Sequence, residues 1–161
     1  MLIDHLSIIG VGLIGGSLAR ALRKAKLVGR VTGCNRSEET LKKAVQLGVI
    51  DDYSLDICEA VKKSDVIVIG TPLAISEKLL PQIADSMSAN TVLTDVGSVK
   101  SGIVKAARQT LFEKFCNFVP GHPIAGTEKN GVEASLEDLF VNHRVILTPV
   151  EETCPKACKL I

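Results

Sequence analysis

The sequence predicts an α/β fold: a doubly wound, mainly parallel sheet with helices on both faces. Short, continuously apolar runs, such as residues 6–9 and DVIVIGTP at 65–72, alternate with segments whose apolar residues recur at helical spacing. Strands buried on both faces read this way, because helices cover each side of a parallel sheet. A burst of glycines, Gly10, Gly12, Gly15 and Gly16, falls between the first apolar run and the first helical segment. Glycine weakens regular structure, so a cluster at a strand-to-helix turn marks a place that needs bare backbone.

Each element follows in order. Residues 6–9 form a first strand, and 13–25 a helix with Ile14, Leu18, Ala21 and Leu22 on one face. Residues 31–35 make a second strand. Ser37 caps the next helix, which carries Glu38 and Glu39 in its first turn and stops at Gly48. An extended piece near Tyr53 precedes a short helix opened by a capping box at 56–59. The strand at 65–72 ends abruptly at Gly70-Thr71-Pro72, and 73–87 is helical with an interruption near Pro81. TVLTDVGSVK at 91–100 is a strand plus a turn, and 103–115 a helix with Ile103, Ala107, Leu111 and Phe112 as its buried edge. A brief strand and a Gly/Pro-rich loop cover 117–126, and RVILTP at 144–149 closes the set as a further strand.

Composition excludes several classes. A chain of 161 residues, 46% hydrophobic, has one domain with a real core and is not disordered. A net charge of +1 offers no field for nucleic acid or a membrane surface. Aromatics are 3% with no Trp, so there is no platform for stacking bases. Cys34, Cys58, Cys116, Cys154 and Cys158 are odd in number and irregularly spaced, and no second ligand pair accompanies Cys154 and Cys158. They read as free thiols in a reducing cytoplasm, with no metal site. Asp4 and His5 break the apolar start, so no signal peptide is expected, and no stretch reaches the length of a membrane span. The expected partner is a small molecule.

Gly10-Val11-Gly12-Leu13-Ile14-Gly15 is GxGxxG between a strand and a helix, followed by a second strand. Gly10 permits the tight turn, Gly12 lets a pyrophosphate approach, and Gly15 lets helix and strand pack closely. The helix start, at Leu13 and Ile14, turns unpaired N–H groups toward the phosphates. At the end of the second strand, where NAD sites usually carry a carboxylate for the ribose 2′-OH, stands Asn35, followed by Arg36 and Ser37. Asn does not repel a 2′-phosphate, Arg36 can pair with it and Ser37 can donate to it, so NADP is preferred and NAD is the alternative cofactor. Thr71 and Pro72 end their strand beside the expected cofactor.

TDVGSVK at 94–100, PGHPIAGTEKNGVEAS at 120–135 and NHRVILTP at 142–149, with the opening glycines, resemble the prephenate/arogenate dehydrogenase family of tyrosine biosynthesis. The resemblance covers essentially the whole chain. It implies a Rossmann-type domain followed by a helical dimerisation domain. It also implies NAD(P)-dependent oxidative decarboxylation. Hydride leaves the ring carbon bearing the hydroxyl, the ring carboxylate departs as CO₂ and the ring becomes aromatic. His122 matches the family's catalytic histidine, and imidazole can take the hydroxyl proton. Ser98 matches a serine that orients histidine and substrate; alone it would read as a helix N-cap. Thr127 and Glu128, with Lys129 beside them, match positions near the substrate entrance. Lys100, Lys129 and Arg144 otherwise read as solvated charges, and His5 and His143 as structural or exposed.

The resemblance divides the chain into a dinucleotide-binding domain at 1–150 and, at 151–161, the start of a helix leading to a dimerisation domain outside this sequence. The expected substrate is prephenate or arogenate, and the parent a cytoplasmic homodimer whose first domain alone is nearly inactive. Two other readings remain: another dehydrogenase of the same fold, such as a 3-hydroxyacid dehydrogenase, and a non-catalytic nucleotide-binding module.

Overall fold

The computed structural model describes residues 1–161. Its main sheet contains β1 (Ile3–Ile9), β2 (Val28–Cys34), β3 (Asp52–Ser54), β4 (Val66–Ile69), β5 (Val92–Asp95) and β6 (Phe118–Val119). The strands lie in the order β3-β2-β1-β4-β5-β6, and every pairing is parallel. Helices α1 (Leu13–Lys24), α2 (Glu38–Gln46), α3 (Ile57–Val61), α4 (Leu73–Ser86) and α5 (Ser101–Thr110) make the connections.

The apolar runs explain the two layers of core. All four residues of β4 are buried, and successive side chains point to opposite faces. Val66 and Val68 join Leu6, Ile8 and Val31 in one cluster, which α1 and α2 cover with Ala19, Leu41 and Ala44. Ile67 and Ile69 join Ile9, Leu93 and Phe118 in the other, under Ala60, Leu80, Ile83 and Ile103 from α3, α4 and α5.

Two helix ends follow the predicted chemistry. Ser37 Oγ accepts Thr40 N–H at 3.2 Å. Gly48 sits at φ +67°, and Val49 N–H returns to the Ala44 carbonyl at 2.9 Å, closing α2. The expected box at 56–59 is only half formed. Asp56 Oδ1 accepts Cys58 N–H at 2.8 Å, but the Asp56 amide donates to Ser54 Oγ at 3.0 Å, leaving nothing for Glu59.

Several expectations are corrected. The buried face of α1 is Gly15, Gly16, Ser17 and Ala19: Gly15 lies against β1 and the glycine turn, while Gly16 and Ser17 meet Ser135 and Leu136 of the segment at 132–136. Leu18 and Leu22 pack on the rim of that contact. Pro81 does not interrupt α4; Leu80 and Ile83, both fully buried, hold the helix through the missing hydrogen bond. The segment at 144–149 does not join the parallel sheet. Pro120 ends β6, and the chain forms a separate antiparallel ribbon of β7 (Gly121–Pro123) and β8 (Val145–Leu147). Past a turn at 151–153, the final helix is α6 (Pro155–Leu160), whose Ala157 is buried in the core. No helix is long and apolar enough to cross a membrane.

Phe112 departs most from its expected place. α5 ends at Thr110, Leu111 fills the buried position, and Phe112 opens a 3-10 turn (Phe112–Asn117) at φ +49° with 78% of its surface exposed. A left-handed backbone costs an L-residue roughly 1–2 kcal/mol, and little burial offsets it here. Phe112→Asn should therefore raise stability by about 0.5–1 kcal/mol in urea denaturation, since Asn tolerates this conformation. An unchanged or lower midpoint would contradict this account.

Candidate functional site

The strand order reverses direction between β1 and β4, which opens a crevice at the carboxyl ends of the strands. The glycine turn lies in that crevice. Gly10 has φ +100°, and a Cβ there would stand 2.7 Å from the Gly70 carbonyl carbon. A Cβ on Gly15 would stand 2.8 Å from the Gly10 oxygen and 2.8 Å from Ile8 Cγ2. These contacts draw α1 onto β1 and aim its first turn into the crevice. Gly12 is the N-cap of α1, without a side-chain cap, and the space above it is open. The amides of Leu13, Ile14 and Gly15 find no protein acceptor and face that space with the positive end of the helix dipole.

Beside the turn lies a cavity of about 360 Å³. Asn35, Arg36, Ser37, Thr71 and Pro72, five residues singled out from the sequence, line it together. Its apolar walls, Leu55, Ile57, Ile75 and Leu79, were not foreseen. They come from α3, α4 and the segment before α3, and only the packing of those helices brings them together. Cys34 also lines it, with its thiol pushed up to about 11 by burial, so it stays protonated at neutral pH. Arg36 is exposed and forms no ion pair. The Ser37 hydroxyl accepts from Thr40 N and Thr40 Oγ1 and keeps its own proton to donate. Glu38 is held by Lys42 and by Tyr53 Oη, which together lower its carboxyl below the ordinary range. Thr71 Oγ1 is tied to Ser76 Oγ at 2.9 Å, and Pro72 is the N-cap of α4.

His122 sits on a strand rather than in the expected loop, opposite Ile146 in the ribbon. It is half-buried, with Nδ1 enclosed and unpaired. What fixes its place is an ion pair the sequence reading missed. Asp95, at the end of β5, pairs with Lys100, and their side chains are only 5% and 16% exposed. Lys100 Nζ also donates to the Gly121 carbonyl at 2.7 Å, while Asp95 Oδ1 accepts Gly121 N–H at 3.3 Å. Asp95 Oδ2 further accepts Gly97 N–H at 3.0 Å. Lys100 is thus no solvated charge; it grips the residue before His122. The available signal was an Asp ending the apolar strand VLTD with a Lys five residues on, across a glycine turn.

The other sequence candidates are less tightly placed. Ser98 is exposed, makes no hydrogen bond and caps no helix, since α5 begins at Ser101 after Lys100. Thr127, Glu128 and Lys129 are exposed in the loop after β7, where Thr127 Oγ1 accepts Lys129 N–H at 3.2 Å.

The strand order, the glycine turn and the unpaired amides at its helix define a dinucleotide-binding domain. Residues 18–161 match the family described as "Prephenate dehydrogenase, nucleotide-binding domain", and the chain belongs to that family. It is 39% identical over 155 residues to the prephenate dehydrogenase of Bacillus subtilis, covering 96% of this chain and 42% of that protein. Among solved structures, prephenate dehydrogenase from A. aeolicus, in complex with hydroxyphenyl propionate and NAD+, has a TM-score of 0.89 at 36% identity. That match covers 98% of this chain and 54% of the other. Synechocystis arogenate dehydrogenase gives 0.87 at 33%, covering 96% and 53%. The chain therefore spans about half the length of these relatives, between 42% and 54%.

The buried pair gives a stability prediction. Asp95→Asn leaves the Lys100 charge buried without its partner and should cost about 3 kcal/mol in denaturant unfolding. Lys100→Met should cost a similar amount. Because each single change strands a charge, the double variant should lose clearly less than the sum of the two. Strict additivity would show that the pair is not coupled.

Proposed function

We propose that this chain is the cofactor-binding part of an enzyme that oxidatively decarboxylates prephenate or arogenate. The observation that carries the reading is one shared edge. The phosphate turn and the GHPIAGTEK stretch stand at the carboxyl ends of the same sheet, and Asp95 fastens the residue before His122 to β5. The amides of Leu13, Ile14 and Gly15 would hold the pyrophosphate, and the cavity between Asn35 and Leu79 the adenosine half. Bound dinucleotide would supply the two-electron acceptor for the hydride. His122 takes the proton of the ring hydroxyl as that carbon becomes ketone-like. With Nδ1 enclosed, Nε2 is the nitrogen assigned to this step. Ser98, exposed at the turn after β5, is assigned to orient the substrate hydroxyl, and Thr127, Glu128 and Lys129 to the substrate entrance. Capture of the ring carboxylate and subunit pairing are assigned to a helical domain, a reading supported by relatives about twice as long.

Within this reading NADP is preferred over NAD. Its support is an exposed, unpaired Arg36 and a Ser37 hydroxyl with a free proton, both at the cavity where a ribose 2′-phosphate would lie. NAD+ is the cofactor in the A. aeolicus complex, so the difference rests on this chain's own residues. Calorimetric titration should show tighter binding of NADP. Arg36→Ala should cost NADP ~10–100-fold, the worth of charge-assisted hydrogen bonds, and leave NAD nearly unchanged. Equal affinities in the wild type would refute the preference.

For the chemistry, His122→Asn in the full-length enzyme should lower kcat by ~10²–10⁴-fold, the usual range for a lost general base. Dinucleotide affinity should barely move. Near-normal turnover at neutral pH would assign the proton to another group.

A further inference from the structure

Asn35 stands where a ribose-reading residue is expected, yet its amide is engaged elsewhere. Oδ1 accepts the Val11 N–H at 2.7 Å, and Nδ2 reaches the Val11 carbonyl at 3.4 Å. Val11 is the residue between the first two glycines of the phosphate turn. Its side chain is 1% exposed, and its Cγ2 lies 2.9 Å from where a Gly33 Cβ would be. One residue earlier, Gly10 N–H donates to the Cys34 carbonyl at 2.8 Å. The turn is therefore moored to the end of β2 by two consecutive residues, and Asn35 provides the second mooring.

We infer that Asn35 is a positioning residue for the phosphate turn, acting on the grip for pyrophosphate whatever the ribose 2′ substituent. The inference rests on the dinucleotide reading above. A carboxamide carries one acceptor and one donor, which match the N–H and C=O of a single residue. A carboxylate carries two acceptors. At this position it would keep the Val11 N–H and set its second oxygen against the Val11 carbonyl. Asn35 is thus explained without any contact to a 2′-phosphate, and discrimination between the two cofactors falls to Arg36 and Ser37.

The test is calorimetric titration of the full-length protein with NAD, NADP and adenosine 2′-monophosphate, which carries the 2′-phosphate but no pyrophosphate. Asn35→Ala should weaken NAD and NADP by the same factor, about tenfold for one lost hydrogen bond to the turn. Binding of adenosine 2′-monophosphate, which does not use the turn, should weaken less than that of either dinucleotide. Asn35→Ser, which keeps a short uncharged hydrogen-bonding side chain, should also weaken both cofactors alike, and it carries the comparison if the alanine variant does not fold. A shift of tenfold or more in the NADP-to-NAD ratio in either variant would overturn the inference, as would equal weakening of adenosine 2′-monophosphate. Wild-type protein that binds neither dinucleotide would instead overturn the dinucleotide reading, and this inference with it.

Discussion

Three stretches of backbone converge on one carbonyl oxygen, that of Gly10. A Cβ on Gly15 or on Gly70 would come within 2.8 Å of it, and Gly10 itself adopts φ +100° against Gly70. The end of β1, the start of α1 and the end of β4 can meet there only as bare main chain. This contact sets the distance between helix and sheet. It requires a glycine at position 15 of α1, and it brings three free amides to the crevice where the strand order reverses. The arrangement of the cofactor site follows from that close approach.

The ribbon bearing His122 obeys a second constraint, electrostatic rather than steric. An Asp and a Lys removed from water are tolerable only when paired and fully hydrogen-bonded. Here the remaining bonds go to Gly97 and to both polar groups of Gly121. The pair thereby converts the position of β5 into a position for β7. The molecule has two modules: an apolar sheet that builds the cofactor crevice, and a polar clamp that hangs the histidine strand at its edge.

The sequence carried the first module almost entirely. Continuous apolar runs in β1, β4 and β5 reported burial on both faces, and GxGxxG reported the turn, because each signal is local. The second module was largely hidden. RVILTP looks like any buried strand, and only Pro120 and the early end of β6 divert it into a ribbon. Lys100 looks solvated until the fold places Gly121 beside it. Phe112 looked like a helix residue because periodicity does not show where a helix stops. Asn35 occupied the position read as facing the ribose, while its hydrogen-bond partner lies 24 residues earlier in the chain. Identity and approximate location were legible; pairings between distant residues were not.

The slender attachment of the ribbon implies an order in which the molecule comes apart. β7 and β8 are three residues each, with Val145 and Ile146 about half exposed, whereas β4 and β5 of the main sheet are buried along their whole length. Local stability tracks such differences. On warming, or in mild denaturant, the ribbon should open before the sheet. Amide exchange would then show β7 and β8 losing protection while β1 and β4 remain closed. On the proposed assignment of His122, a species of that kind would still grip a nucleotide yet have no aligned histidine, so inactivation and unfolding would be separate events.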